Sequence, residues 1–219
     1  MVRVTLVSDG RFFRAGLRAI LESQLNLCVV AEGKICQTFS LLEVARPELL
    51  LLCPSSHREA IQPLTQIRQL SQHPSTLVIL ESVSERGARA LLTLGASGIL
   101  LQESAPRHLP WAVLAVSQGG CALSPEISKR VIREYTAPMT ESTQKRTAQT
   151  KIYTLTARER EVLDLLADGL PNQAIAHALT ISPGTVKDHV HSIFSKLNVN
   201  SRLHAARIAW EAKEFRNSA

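Results

Sequence analysis

Lys187, Asp188, His189 and His191 fall close together in the sequence, with Thr185 just before them and Lys196 just after. Two chemistries fit such a set. A His189–His191 metal pair fails on geometry, because residues two apart on a helix point in different directions. The other chemistry is hydrogen bonding to a polar, anionic surface, in which Lys, His, Thr and a carboxylate each have a use. A second candidate group is Cys53 with His57 four residues on. No third orienting residue or oxyanion motif accompanies it, which argues against a nucleophilic enzyme. A free cysteine is more often a small buried apolar residue than a redox centre. The four cysteines (28, 36, 53 and 121) show no CxxC spacing, so neither a zinc site nor a disulfide framework is expected. GxGxxG, GxSxG and P-loop patterns are absent.

The elements that would position the first group are helical. Thr156-Ala-Arg-Glu159 reads as a capping box. The helix it opens carries Val162, Leu163, Leu166 and Ala167 on one stripe and stops at Gly169, a common C-terminal cap position. Asn172 is expected to cap a second helix with Ile175, Ala176 and Leu179 inward. After the turn Thr180-Ile-Ser182, Ser182 caps a third helix that has Pro183 at its first position. At about 100° per residue, Val186, Val190, Ile193, Phe194 and Leu197 form its inward stripe. Gly184, Asp188, His191 and Ser195 lie opposite, with Lys187 on one flank and His189 and Lys196 on the other. These outward groups are small or medium hydrogen-bonding side chains, which suits a helix lying in a major groove. On periodicity alone, a plain three-helix bundle with a merely polar outer face is the better-supported reading. A fourth helix runs from about Ser201 to Lys213. Its small-residue face, Ala205, Ala206, Ile208, Ala209 and Ala212, serves either close dimer packing or the cover of the unit's own core.

The first 125 residues alternate short apolar runs with helical stretches. Strands are expected at Val2–Val7, Leu27–Ala31, Glu48–Cys53, Leu77–Leu80 and Ile99–Leu101. Helices are expected from Phe12 to Leu25 and near 38–45, 58–72, 84–94 and 107–118. Near-continuous aliphatic strands alternating with helices predict a doubly wound α/β domain with a five-stranded parallel sheet, covered on both faces. From Ala137 to Lys151 the chain reads APMTESTQKRTAQTK, a linker by composition. The expected division is therefore 1–125, a helical extension and linker over 126–150, and an all-α four-helix helix-turn-helix domain over 151–219.

A length of 219 residues fits one large domain or two ordinary ones, and 45% hydrophobic with 20% charged residues is normal for a folded chain with real cores. No apolar run approaches the roughly 18–20 residues of a membrane span. No secretory signal is visible, and a reducing cytoplasmic setting is expected. The net charge of +6 divides as +3 over residues 1–136, +1 over 137–150 and +2 over 151–219, a diffuse basic excess compatible with nucleic acid.

The segment from Leu155 to Ala206 resembles the DNA-binding domain of the LuxR (NarL/FixJ) family of transcription regulators. The resemblance lies in the T-x-R-E-x-E-V-L opening, the G-L-x-N turn, the I-S-x-x-T-V-K-x-H-V segment and the K-L-x-V ending. Pro171 stands where the family usually has serine, and Ala174 where it usually has glutamate. The resemblance implies that Lys187, Asp188 and His191 face base edges, that Thr185, His189 and Lys196 lie near phosphates, and that Asn172 helps cap the supporting helix against the backbone. It further implies double-stranded DNA as partner and a homodimer on two half-sites.

The first domain resembles the receiver of two-component response regulators, through Val4–Val7 with Asp9, the F-R-x-G-L-R stretch from Phe13 to Arg18, Pro47–Leu52, Gly95-Ala-Ser-Gly98 and Leu123-Ser-Pro-Glu126. A receiver carries a phosphoryl-accepting carboxylate at the end of its third strand, and that position here is Cys53. The acidic pair that holds Mg²⁺ after the first strand reads Ser8-Asp9. The lysine after the fifth strand is Gln102, and the Thr or Ser after the fourth falls on Glu81 or Ser82. A hard cation wants several anionic oxygens, and a thiol is a poor replacement. These substitutions predict a pseudo-receiver that takes no aspartyl phosphate, no metal and no cofactor. The expectation is a non-enzymatic, sequence-specific transcription regulator acting without aspartyl phosphorylation. Its rivals are a ligand- or redox-sensing regulator using Cys53 or the receiver pocket, and a non-DNA-binding interaction partner of another regulator.

Overall fold

The computed structural model of the chain describes residues 1–70, 73–136, 152–199 and 201–217. Backbone contacts divide it into two compact units, one of Met1–Ser117 with Cys121–Val131 and one of Gln118–Gly120 with Ile132–Ala219. The expected linker over 137–150 lies outside the described residues.

The first unit is built on β1 (Val2–Ser8), β2 (Leu27–Gly33), β3 (Leu49–Cys53), β4 (Ser75–Leu80), β5 (Gly98–Leu101) and β6 (Ala122–Leu123). All pairings are parallel, in the order β2-β1-β3-β4-β5-β6. The doubly wound class is as expected, with one more strand than the five anticipated. A two-residue strand carries too little apolar alternation to be seen in a sequence. Five helices intervene: α1 (Arg11–Glu22), α2 (Thr38–Ala45), α3 (His57–Ile67), α4 (Glu85–Thr93) and α5 (Ala105–Ser117). A sixth, α6 (Pro125–Thr136), follows β6.

The all-aliphatic runs are buried because both sheet faces are covered. In β3 every residue from Leu49 to Cys53 is buried. Alternate side chains point to opposite faces. Val4, Leu6, Leu49, Leu51, Cys53, Leu77 and Ile79 therefore form one core, with Leu17 and Leu21 of α1 and Leu109, Ala112, Val113 and Val116 of α5. α1 ends at Glu22, short of the expected Leu25, where the Ser23 hydroxyl turns back to donate to the Ile20 carbonyl at 2.7 Å. Gly98 opens β5 where neighbouring chains approach too closely for a side chain. A Cβ there would lie 2.5 Å from the Ala122 carbonyl oxygen and 2.7 Å from a Leu77 methyl.

The second unit contains α7 (Ala157–Ala167), α8 (Asn172–Leu179), α9 (Pro183–Leu197) and α10 (Arg202–Asn217). Its core joins Leu155, Val162, Leu163 and Leu166 to Ile175, Val186, Ile193 and Leu197, and to Ala205, Ala206, Ile208 and Ala209 of α10. The small-residue face of α10 thus covers its own core and is not a free dimer surface. No helix among the described residues is long and apolar enough to cross a membrane.

Gly98→Ala should lower the unfolding free energy by about 1–3 kcal/mol, as overpacking does in a core that cannot yield. Urea unfolding of the full chain measures this, and an unchanged midpoint would contradict the packing described for β5 and β6.

Candidate functional site

Local sequence fixes each end of α9. Ser182 accepts the Thr185 amide at 3.0 Å, Pro183 takes the first position, and Asn198 closes the helix in the left-handed conformation at φ 53°. Between these caps, Val186, Ile193 and Leu197 are buried, and Val190 and Phe194 pack against the same core. Gly184, Lys187, Asp188, His191 and Ser195 are exposed on the side away from it. α8 precedes α9 through a turn in which Thr180 adopts a left-handed conformation at φ 55° and Ile181 donates to the Ala176 carbonyl at 3.0 Å. The two helices and their turn form the helix-turn-helix arrangement.

The orientation of α9 is set by a residue to which the sequence assigned only a local role. Glu159 completes the capping box at the start of α7: its carboxylate accepts from the Thr156 amide at 2.7 Å, and its own amide donates to the Thr156 hydroxyl at 3.2 Å. The same carboxylate accepts from the Ser192 hydroxyl at 2.6 Å and from the Lys196 ammonium at 2.8 and 2.7 Å. Glu159 is 4% exposed. Burial by itself raises its pKa, but the hydrogen bonds from Lys196, Ser192 and Thr156 outweigh burial and hold it down to about 2. The capping box was legible in T-A-R-E. The long-range partners were not, because they come from a helix more than thirty residues on. Arg158 adds a second tie, donating to the Leu179 carbonyl at the end of α8 at 2.6 Å.

This arrangement sorts the expected contact residues. Lys187, Asp188 and His191 share the exposed face, and His189 is half-buried on its flank. Thr185 is exposed, with its hydroxyl 2.8 Å from that of Ser182. Lys196, expected near phosphates, is exposed, and its ammonium sits 2.7 Å from the Glu159 carboxylate, because a buried carboxylate without a cation beside it is costly. Asn172, expected as the cap of α8, is its first helical residue. Pro171 occupies the cap position, and the Asn172 side chain is buried.

At the carboxyl end of the first unit's sheet, the strand order reverses between β1 and β3, the usual place for a ligand crevice. Ser8 lies in register with Cys53 there, and both are buried. Cys53 is 5% exposed and belongs to the apolar core between the sheet, α1 and α5. Burial pushes its thiol well above the ordinary cysteine range, so it is a poor nucleophile. His57 does not serve as its partner. The imidazole packs over Gly87 of α4, where an added Cβ would come within 2.9 Å of the ring. The Asp9 carboxylate accepts the Ile35 amide at 3.2 Å, and so anchors the loop after β2. Arg14 donates to the Ser8 carbonyl and spans toward Gly33. Glu81 and Ser82 follow β4 in exposed positions, and Gln102 follows β5 half-buried, its backbone N–H donating to the Leu80 carbonyl at 2.8 Å. These donors do not fit Mg²⁺, a hard ion that takes several oxygens. Asp9 is the one carboxylate of the Ser8-Asp9-Cys53 set, and a loop amide already engages it.

Residues 153–209 match the family model described as bacterial regulatory proteins, luxR family. The transcriptional regulatory protein DegU of Brevibacillus brevis is 32% identical over 216 residues, covering 93% of this chain and 91% of DegU. The nitrate/nitrite response regulator protein NarL of Escherichia coli K12 is 29% identical over 205 residues, covering 93% of this chain and 92% of NarL. Among solved structures, a LuxR-family two-component response regulator from Aurantimonas sp. SI85-9A1 matches with a TM-score of 0.56 at 26% identity. It covers 61% of this chain and 97% of that one.

Glu159→Gln should destabilise the second unit by about 2 kcal/mol, since a neutral amide replaces the carboxylate that accepts charge-assisted hydrogen bonds from Lys196, Ser192 and the Thr156 amide. Because the folded-state pKa of Glu159, about 2, lies below the roughly 4.3 of an unfolded chain, its contribution is full above about pH 5 and is lost as pH falls toward 2. Amide exchange in α9 between pH 7 and pH 3 should show a steeper acid loss in the wild type than in Glu159→Gln. Thiol labelling gives a separate check. Exposed Cys36 should react fast, and Cys53 only at the rate at which the first unit opens.

Proposed function

Because the chain belongs to the luxR family of bacterial response regulators, which are DNA-binding transcription regulators, we propose that it reads a specific duplex sequence as a dimer and does so without aspartyl phosphorylation. Residues 1–125 serve in this reading as a regulatory domain that is not phosphorylated, 126–150 as extension and linker, and 151–219 as the DNA-binding domain. Lys187, Asp188 and His191 meet base edges. Thr185, His189 and Lys196 lie toward phosphates, and Lys196 also pairs with Glu159, which seats the helix. The protein works in the cytoplasm, needs no cofactor and catalyses no reaction.

One observation carries the loss of phosphorylation. Where the acceptor carboxylate would stand, the chain has Cys53, and its side chain belongs to the apolar core. Aspartyl phosphorylation needs an anionic oxygen nucleophile, a Mg²⁺ to neutralise the transferring group, and a cation to hold the product. The end of β3 offers a thiol whose ionisation is opposed by burial. The first-strand pair has kept one of its two carboxylates, and the position after β5 is the neutral Gln102. Each loss alone weakens the reaction, and together they remove its acceptor and its electrostatics. Control by abundance, by a partner protein or by a ligand at the first unit takes the place of the phosphate.

DNA affinity should fall as salt rises, because Lys and Arg contacts release counterions from the duplex. The test is selection of bound DNA from a random duplex pool, run with and without acetyl phosphate as phosphoryl donor. One enriched motif at the same affinity in both arms is the expected result. Binding that tightens with the donor overturns the phosphorylation-independent reading, and the absence of any enriched motif overturns sequence-specific recognition.

A further inference from the structure

Among the described residues no side chain or backbone group pairs with the Asp188 carboxylate, and the same holds for the neighbouring Lys187 ammonium. This sets them apart from Thr185, whose hydroxyl is bonded to Ser182, and from Lys196, which is held by Glu159. Asp188 lies in the first half of α9 on the face opposite buried Val186 and Ile193. In a helix-turn-helix, that half of the second helix reaches base edges. One turn earlier on the same face stands Gly184. A Cβ placed there would meet only the Ser182 hydroxyl, at 3.6 Å. The protein's own packing therefore does not require glycine at that position. The open space beside Asp188 is room for a ligand to approach closely.

Resting on the DNA-binding reading above, we propose that Asp188 is a specificity-determining residue that reads the exocyclic amino group of a cytosine in each half-site. The chemistry narrows the choice. An ionised carboxylate only accepts hydrogen bonds, so phosphates repel it and it gains nothing from the nucleic-acid backbone. In the major groove, guanine presents N7 and O6 and thymine presents O4, all acceptors. Adenine offers its N6 amino group, but its N7 acceptor lies directly beside that group and faces the second carboxylate oxygen. Cytosine presents the N4 amino group with no neighbouring acceptor on that edge. Lys187, next to Asp188, offsets the carboxylate's repulsion from the phosphates and offers a donor of the kind guanine accepts. The pair thus favours a C·G base pair over the other three.

Pool selection with the full-length wild type, Asp188→Ala and Asp188→Asn tests this. The wild-type motif should contain one position per half-site fixed as cytosine, with replacement there weakening binding roughly tenfold or more. Asp188→Ala should flatten that position alone while non-specific affinity rises, because a charge facing the phosphates is gone. Asp188→Asn should move the preference toward adenine, which an amide can pair through N6 and N7. A wild-type motif that Asp188→Ala leaves unchanged, cytosine discrimination included, overturns the assignment and leaves sequence-specific binding intact. A wild-type pool with no enriched motif overturns the DNA reading itself, and the assignment with it.

Discussion

Glu159 brings a negative charge into a mostly apolar unit and surrounds it with donors from two helices. Thr156 supplies its amide, Ser192 its hydroxyl and Lys196 its ammonium. Desolvating a carboxylate costs several kcal/mol, and only a well-satisfied site recovers it. The geometry is therefore narrow: a modest rotation of α9 about its axis would separate Ser192 and Lys196 from the carboxylate and leave the charge uncompensated. Apolar contacts among Val186, Ile193 and Leu197 decide which face is inside. The carboxylate decides the rotation within that face, and so where Lys187, Asp188 and His191 point.

The same reasoning separates the chemistry of the two units. In the second, Ser192 and Lys196 bond to Glu159 and the Thr185 hydroxyl lies 2.8 Å from that of Ser182, whereas Lys187 and Asp188 are exposed on the outer face of α9. In the first, three groups near the carboxyl end of the sheet have been taken up by structure. Asp9 holds a loop amide, His57 fills the space over Gly87, and Cys53 is part of the core. A thiol there adds apolar volume where a charged carboxylate would need hard ligands. The scaffold keeps its strand order and its switch point, and Asp9 is the one carboxylate of the Ser8-Asp9-Cys53 set beside that point.

The redox alternative depended on Cys53 being accessible and paired with His57; Cys53 is 5% exposed, and the His57 ring packs over Gly87. Cys53 and His57 are four positions apart, but the first ends a strand and the second begins a helix across an intervening loop. Their spacing along the chain therefore does not by itself bring their side chains together. A free dimer surface on α10 fails for a related reason. A stripe of small residues reads the same whether it meets a partner or its own core, and here it meets α7 and its neighbours.

The sequence alone determined whatever depends on neighbours within a turn or on strand period. The parallel doubly wound sheet followed from aliphatic runs such as Leu49–Cys53, the Thr156–Glu159 box from its four-residue spacing, and the inward stripe of α9 from its helical period. Ser182 and Pro183 marked the start of α9 unaided. Tertiary structure decided everything that joins distant segments: the capture of Lys196 by Glu159, the packing of His57 on Gly87, and the pairing of Ser8 with Cys53 across two strands. It also decided the short β6 and the cap at Pro171, which one residue's shift conceals. Local propensities are energies of adjacent residues and can be read in order along the chain. The partner of a buried charge is fixed by which helix happens to pack against it, and only the folded core selects that.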